Sequence, residues 1–173
     1  SLFLNGTAYA SVPTSTDFGF GTNDWTIECY IYASSVTGTQ HILDFRTTNS
    51  EVSPTLRSDG TGLEFHVNGS DVITGGTITQ NTWHHIAVSK SGSSTKMFLD
   101  GTQVGSTYTD NNDYGTTKPI KIGADHNGSN ALSGYVDEVR VSTNARYTAT
   151  FTPSIYMFQG DVNTVLLVHF DGA

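Results

Sequence analysis

The sequence predicts an all-β protein folded as a two-sheet antiparallel β-sandwich, and three observations carry the prediction. Apolar and polar residues alternate with period two, Gly-containing turn dipeptides separate the alternating segments, and no helical periodicity of useful length occurs. At 173 residues the chain suits a single domain spanning 1–173, because all-β sandwiches often run longer than the average domain. Leu2-Phe3-Leu4 opens the series and ends in Asn5-Gly6. Trp25 to Tyr32 sets Trp25, Ile27, Cys29 and Ile31 on one face against Thr26, Glu28, Tyr30 and Tyr32 on the other. Leu63, Phe65 and Val67 oppose Glu64 and His66, and Tyr135, Val139 and Val141 read as sharing a face with Asp137. Val165 to Phe170 is the last apolar run and precedes Asp171-Gly172. Between them lie Asp59-Gly60, Asn68-Gly69, Gly75-Gly76, Ser91-Gly92, Asp100-Gly101 and Asn127-Gly128, which accept the positive φ of tight turns. About a dozen strands are expected from this spacing, with Trp83, Ile86, Val88, Phe65 and Leu167 in the core. The first and last strands are expected to lie beside each other and so protect two edges.

Composition limits the function classes. A formal charge of −8 with eight basic residues disfavours nucleic acid and acidic membranes, since binding there depends on Lys and Arg neutralising phosphates. No apolar run approaches the ~20 residues of a membrane span, and no signal-peptide pattern is present. Ser1 leads directly into an apolar strand, which reads as a mature fragment or a domain of a longer polypeptide. Cys29 is the single cysteine; its place in an alternating strand makes it a small buried hydrophobe.

Asn81 to Lys90, with Trp83-His84-His85-Ile86-Ala87-Val88 at its centre, is followed by Met97-Phe98-Leu99-Asp100-Gly101. This pair resembles the hairpin of laminin-G-like and pentraxin-like jelly rolls of the concanavalin A-like lectin/glucanase superfamily. Trp25-Thr26-Ile27-Glu28, Ile120-Lys121-Ile122-Gly123 and Gly134 to Ser142 match in the same order, so the resemblance covers nearly the whole chain. Ala145 to Pro153 and Asp161 to Gly172 are similar to the endings of such domains in bacteriophage virion proteins, tail fibres among them. The resemblance implies a jelly-roll module outside the cell or on a virion surface that contacts a cell-surface glycan or neighbouring virion structural proteins. It also admits a carbohydrate-binding module of a secreted bacterial enzyme, and a glucanase-type glycoside hydrolase.

Catalysis needs paired acids. Retaining glycosidases set two carboxyl groups ~5 Å apart, and the glucanases of the resembling family place theirs at alternating positions of one strand. Here the close pair is Asp137-Glu138, whose neighbouring positions should face opposite sides of a strand. Glu28, Asp44 and Glu64 stand singly. The expectation is therefore no enzyme. His84 and His85 are likewise adjacent, the other four histidines are scattered, and no zinc spacing results. No G-x-S-x-G elbow exists.

Two polar loops remain as candidates. Asp110, Asn112 and Asp113 surround Tyr114, and this loop is the predicted ligand site, with the ring as platform for a sugar and the polar groups pairing with hydroxyls. Asp125 to Asn130 is the second loop. Neither follows the EF-hand pattern, since the twelfth position is Lys121 or Val136. By the resemblance alone, one structural Ca²⁺ is expected near a sheet rim, with Asp125 and Asp137 as its candidate ligands.

Overall fold

The computed structural model describes residues 1–171. Thirteen strands follow one another: β1 (Leu2–Asn5), β2 (Ala10–Ser15), β3 (Trp25–Ala33), β4 (Thr39–Asp44), β5 (Thr55–Asp59), β6 (Gly62–Val67), β7 (Ser70–Thr77), β8 (Trp83–Ser91), β9 (Ser94–Leu99), β10 (Thr102–Thr109), β11 (Lys118–Ile122), β12 (Ser133–Ser142) and β13 (Thr164–Val168). One 3₁₀ turn, Thr16–Phe18, is the sole helical element among the described residues. The seven-stranded sheet runs β1-β12-β3-β8-β9-β10 with β13 also on β12, and the six-stranded sheet runs β2-β11-β4-β5-β6-β7. All paired strands are antiparallel. The all-β sandwich expected from the alternation is the fold observed.

The inner faces meet in one core. Trp25, Ile27, Cys29 and Ile31 of β3, Ile86 and Val88 of β8 and Val136, Val139 and Val141 of β12 are buried against Leu43, Leu56, Leu63, Phe65 and Ile122 of the other sheet. Trp25 is the centre of an aromatic group. It stacks on Phe20 at 5.4 Å and meets Phe65 at 5.9 Å and Tyr114 edge-on at 5.6 Å. Burial pushes the Cys29 thiol far up, which leaves it inert as a nucleophile.

Three expectations need correction. Trp83 is 43% exposed. Its separation from Ile86 is odd, so when Ile86 and Val88 face inward, Trp83 faces out. Leu167 is half-buried, because β13 is an edge strand. The first and last strands do not lie side by side. β1 takes the Ser133–Val136 part of β12 and β13 takes Val139 to Ser142, so they meet end to end along one edge. The ends still converge: the Ser1 amine donates to the Phe170 carbonyl at 2.5 Å. The expected Asp171-Gly172 turn lies partly outside the described residues.

Candidate functional site

The hairpin of β8 and β9 sets the geometry of the outer face of the seven-stranded sheet. Asp100 sits in the turn after β9 at φ 51°, and its carboxylate reaches back to two residues of β8. Oδ1 accepts the His85 backbone N–H at 2.9 Å, and Oδ2 lies 2.7 Å from His84 Nδ1. Thr79 N–H donates to His84 Nε2 at 3.0 Å, so the ring proton is on Nδ1 and faces Asp100. The two histidines fall on opposite faces as expected, and His84 is a packed, hydrogen-bonded residue.

His85 points outward, yet it is buried. The cause is the chain after β12: residues 143–163 cross this face without regular structure and lay Tyr147, Phe151 and Phe158 over it. The His85 ring meets Phe151 at 5.6 Å and Phe158 at 5.8 Å, both edge-on, and Tyr147 stacks on Phe151 at 3.6 Å. Beneath this cover lies Glu28, fully buried. It receives His85 Nε2 at 3.0 Å, Arg140 Nε at 2.8 Å and the Tyr147 hydroxyl at 2.8 Å. Burial pushes the Glu28 carboxyl up, but the His85 hydrogen bond and the Arg140 charge outweigh it and hold the group below the usual carboxylate range. The other two isolated acids are also paired: Asp44 chelates Arg46 at 2.6–3.1 Å and Glu64 accepts Arg57 at 2.9 Å.

β12 departs from strict alternation. Glu138 has φ 52° and the register with β3 shifts between Asp137 and Arg140, which is a β-bulge. The extra residue puts Asp137 and Glu138 on the same outer face. This overturns the expectation that they face apart, and it also separates Tyr135 and Asp137 from Val139 and Val141, which are inside. Both carboxylates are nevertheless engaged. Glu138 accepts Phe158 N–H at 2.6 Å through Oε2 and His169 Nδ1 at 2.7 Å through Oε1; Asp137 Oδ1 accepts Phe170 N–H at 3.3 Å. They tie the crossing segment and the chain after β13 to the sheet.

Where the crossing segment leaves the sheet, a groove of about 360 Å³ opens. Its floor is Tyr30 and Trp83, Asp137 and Glu138 form one side, and Ser154 to Met157 form the other, with Asp171 at the end. The Tyr30 hydroxyl donates to the Ser154 carbonyl at 2.5 Å and so fixes the far wall. Tyr156 is 78% exposed. The groove thus offers two accessible aromatic rings beside carboxylate and hydroxyl groups and has no Lys or Arg in its lining. Sequence reasoning missed it, although the outward parity of Trp83, Tyr30 and Tyr32 was the available signal.

The predicted ligand loop is placed differently from expectation. Tyr114 has no exposed surface. Its ring packs on Trp25, and its hydroxyl donates to Asp110 Oδ2 at 2.7 Å, so no face remains for a sugar to stack on. Asp110 also accepts the Thr95 hydroxyl at 2.7 Å and the Asn112 side-chain amide at 2.8 Å. Asp113 is exposed and accepts Gly115 N–H at 2.8 Å. The loop closes on itself because short polar side chains satisfy turn backbone. Nor do the candidate calcium ligands converge. Asp125 accepts Asn127 N–H, Ser129 N–H and Asn130 Nδ2 within its own turn at 2.8–2.9 Å, while Asp137 serves β12 and the chain ends. No group of three or more His, Cys, Asp or Glu able to hold a metal ion occurs among the described residues. Asp125 and Asp137 therefore do not fit the shared Ca²⁺ that the resemblance implies.

The fold and this outer face define a class, the two-sheet jelly-roll sandwich. The laminin G model of the concanavalin A-like lectin/glucanases superfamily matches residues 4–150, and the chain belongs to this family. Among curated proteins none matches by sequence. Several solved structures share the fold. A Bacteroides ovatus protein with a carbohydrate-binding assignment has 18% identity and a TM-score of 0.70, covering 95% of this chain and 51% of that one. Domains LG4-5 of the mouse laminin alpha1 chain have 19% identity, a TM-score of 0.61 and coverages of 89% and 46%. Domain 4 of an extracellular GH43 arabinanase from Geobacillus stearothermophilus, solved with arabinotriose, has 15% identity, a TM-score of 0.66 and coverages of 83% and 70%. The chain thus spans about half the length of the first two.

Proposed function

We propose that this domain is a single non-catalytic glycan-binding module whose ligand rests in the groove between Trp83 and Tyr156. The observation that carries the reading is the outward, half-exposed Trp83 at the floor of a groove bordered by carboxylates. A sugar presents an apolar C–H face to an aromatic ring and a rim of hydroxyls to polar acceptors, and concave sites of this composition are the usual form of small-ligand sites. The carbohydrate-binding assignment of the Bacteroides protein and the arabinotriose complex of the arabinanase domain support the same class of ligand. The non-catalytic part rests on the acids: Asp137 and Glu138 share a face, but Asp137 accepts Phe170 N–H and Glu138 accepts Phe158 N–H and His169, and Glu28, Asp44 and Glu64 are each committed to an arginine. A general acid or nucleophile needs access to the glycosidic bond.

The setting we propose is extracellular, and its two forms differ in neighbours rather than in site. The resemblance of Ala145 to Pro153 and Asp161 to Gly172 to virion-protein endings supports a phage appendage, whereas the arabinanase domain supports a module attached to a polysaccharide-degrading enzyme. A glycan array followed by calorimetry on Trp83→Ala tests the site. Loss of at least about tenfold in affinity, the scale of a tryptophan hot spot, is expected at a temperature where the variant is still fully folded. Unchanged affinity refutes the groove, and product release from any glycan refutes the non-catalytic reading.

A further inference from the structure

Trp83 belongs to a second feature as well as to the groove. In register it faces Tyr32 of β3, Tyr32 faces Tyr135 of β12, and Tyr135 faces Phe3 of β1. Four adjacent strands therefore each contribute one aromatic side chain to a single row across the outer face. Centroids are 5.7 Å apart from Trp83 to Tyr32, 5.7 Å from Tyr32 to Tyr135 and 5.1 Å from Tyr135 to Phe3. With strands spaced ~4.8 Å apart, the row is roughly 14 Å long. The aromatic contacts of the crossing segment stop at Tyr30 and His85, and the row beyond them stays open: Phe3 is 58% and Trp83 43% exposed.

We propose that this row extends the groove into successive subsites, so that the ligand is an uncharged oligosaccharide of several units lying across the strands. The inference rests on the glycan-binding reading and deepens it. Cross-strand aromatic pairs do stabilise sheets, but that role calls for burial, and the two ends of this row are its most exposed members. The chemistry of the occupant follows from charge. The groove that the row enters carries Asp137, Glu138 and Asp171 and neither Lys nor Arg in its lining, and the whole chain is at −8. Uronic and sialic acids would meet like charge there, while hydroxyls find acceptors. The geometry adds a second restriction. Neighbouring rings are inclined by 48° to 77°, so a flat crystalline surface touches one ring at a time. A soluble chain that turns between units can follow the row.

Titration calorimetry with arabino-oligosaccharides and β-gluco-oligosaccharides of two to six units, and with oligogalacturonate of matching length, tests the proposal. Affinity is expected to rise at least about tenfold with length in a neutral series, since each further subsite acts on an already tethered chain. Oligogalacturonate is expected to bind at least about tenfold more weakly, with the gap narrowing at high salt. Phe3→Ala, at an exposed position, should flatten the length dependence and leave disaccharide affinity unchanged, whereas Trp83→Ala should weaken every length. Affinity independent of length, no effect of Phe3→Ala, or equal binding of the acidic series overturns this inference and leaves glycan binding standing. Absence of binding to every neutral sugar, with or without self-association of the chain in gel filtration, overturns both.

Discussion

The two tryptophans allow a direct test of how the sandwich divides core from surface. Trp25 is fully buried and touches three aromatic rings. Replacing it with alanine removes a large buried ring and leaves a cavity that flanking strands cannot close, at about 3–5 kcal/mol. Trp83 is 43% exposed, and its protein contacts include the rings of Tyr32 and Tyr135. Aromatic pairs on a sheet face contribute ~0.2–1 kcal/mol each, so with two such contacts Trp83→Ala should cost about 0.4–2 kcal/mol. For a domain of this size 1 kcal/mol moves the midpoint by ~2–4 °C, which gives roughly 6–20 °C for Trp25→Ala and roughly 1–8 °C for Trp83→Ala. Urea unfolding followed by far-UV circular dichroism measures both. The chain has two tryptophans, so each variant keeps one as an internal reporter: Trp25 alone should resist acrylamide quenching, and Trp83 alone should be quenched readily. A cost of 3 kcal/mol or more for Trp83→Ala, or below about 1 kcal/mol for Trp25→Ala, would show that the faces of β3 and β8 are assigned the wrong way round.

Two further outcomes are expected. Tyr114→Phe removes the hydroxyl that Asp110 accepts at 2.7 Å and should cost about 1–2 kcal/mol while glycan affinity stays at the parent value; a loss of affinity at equal stability would return the sugar to that loop. Acid should destabilise the fold, because burial raises Asp44 and Glu28 but their hydrogen bonds and arginine partners hold both below the usual range. A carboxyl with its folded pKa depressed contributes stability fully above its unfolded pKa of about 4 and loses it as pH falls toward the folded value. Urea midpoints should therefore drop as pH falls below about 4, and a midpoint that rises between about pH 5 and pH 3 would contradict the assignment.

Alternation made most of the sandwich legible. In β3 it separated Trp25, Ile27, Cys29 and Ile31 from Tyr30 and Tyr32 correctly. It did not predict that Thr26 and Glu28 on the outer face are also buried, since what covers them comes from residues distant in sequence: the Thr26 hydroxyl donates to the Asn144 carbonyl. Periodicity reports which face a residue occupies, not whether a second layer lies over that face. Trp83 stands among the expected core residues, although its odd separation from Ile86 and Val88 places it on the outer face. Tyr114 erred in the other direction. An aromatic among Asp and Asn residues looks like a binding loop, but those polar groups are partners for turn backbone and for its own hydroxyl.

The bulge in β12 shows why the groove itself was the least legible part. Apolar residues there fall at Val136, Val139 and Val141, and the odd first interval is the trace of one extra residue. Without that residue Glu138 would point inward, where an unpaired carboxylate costs several kcal/mol. With it, the carboxylate turns out and receives Phe158 N–H and His169 at once. Those two bonds dock the crossing segment and the chain after β13 beside Tyr30 and Trp83, and the docked segment is what makes a wall from Ser154 to Met157. One side of the groove therefore belongs to a strand and the other to irregular chain held by side chains of the sheet, Glu138 through Phe158 N–H and Tyr30 through the Ser154 carbonyl. Such a site carries no motif of its own, because its residues are joined by tertiary bonds rather than by spacing. Its aromatic floor follows from strand parity, and its far wall follows from where Glu138 and the Tyr30 hydroxyl point.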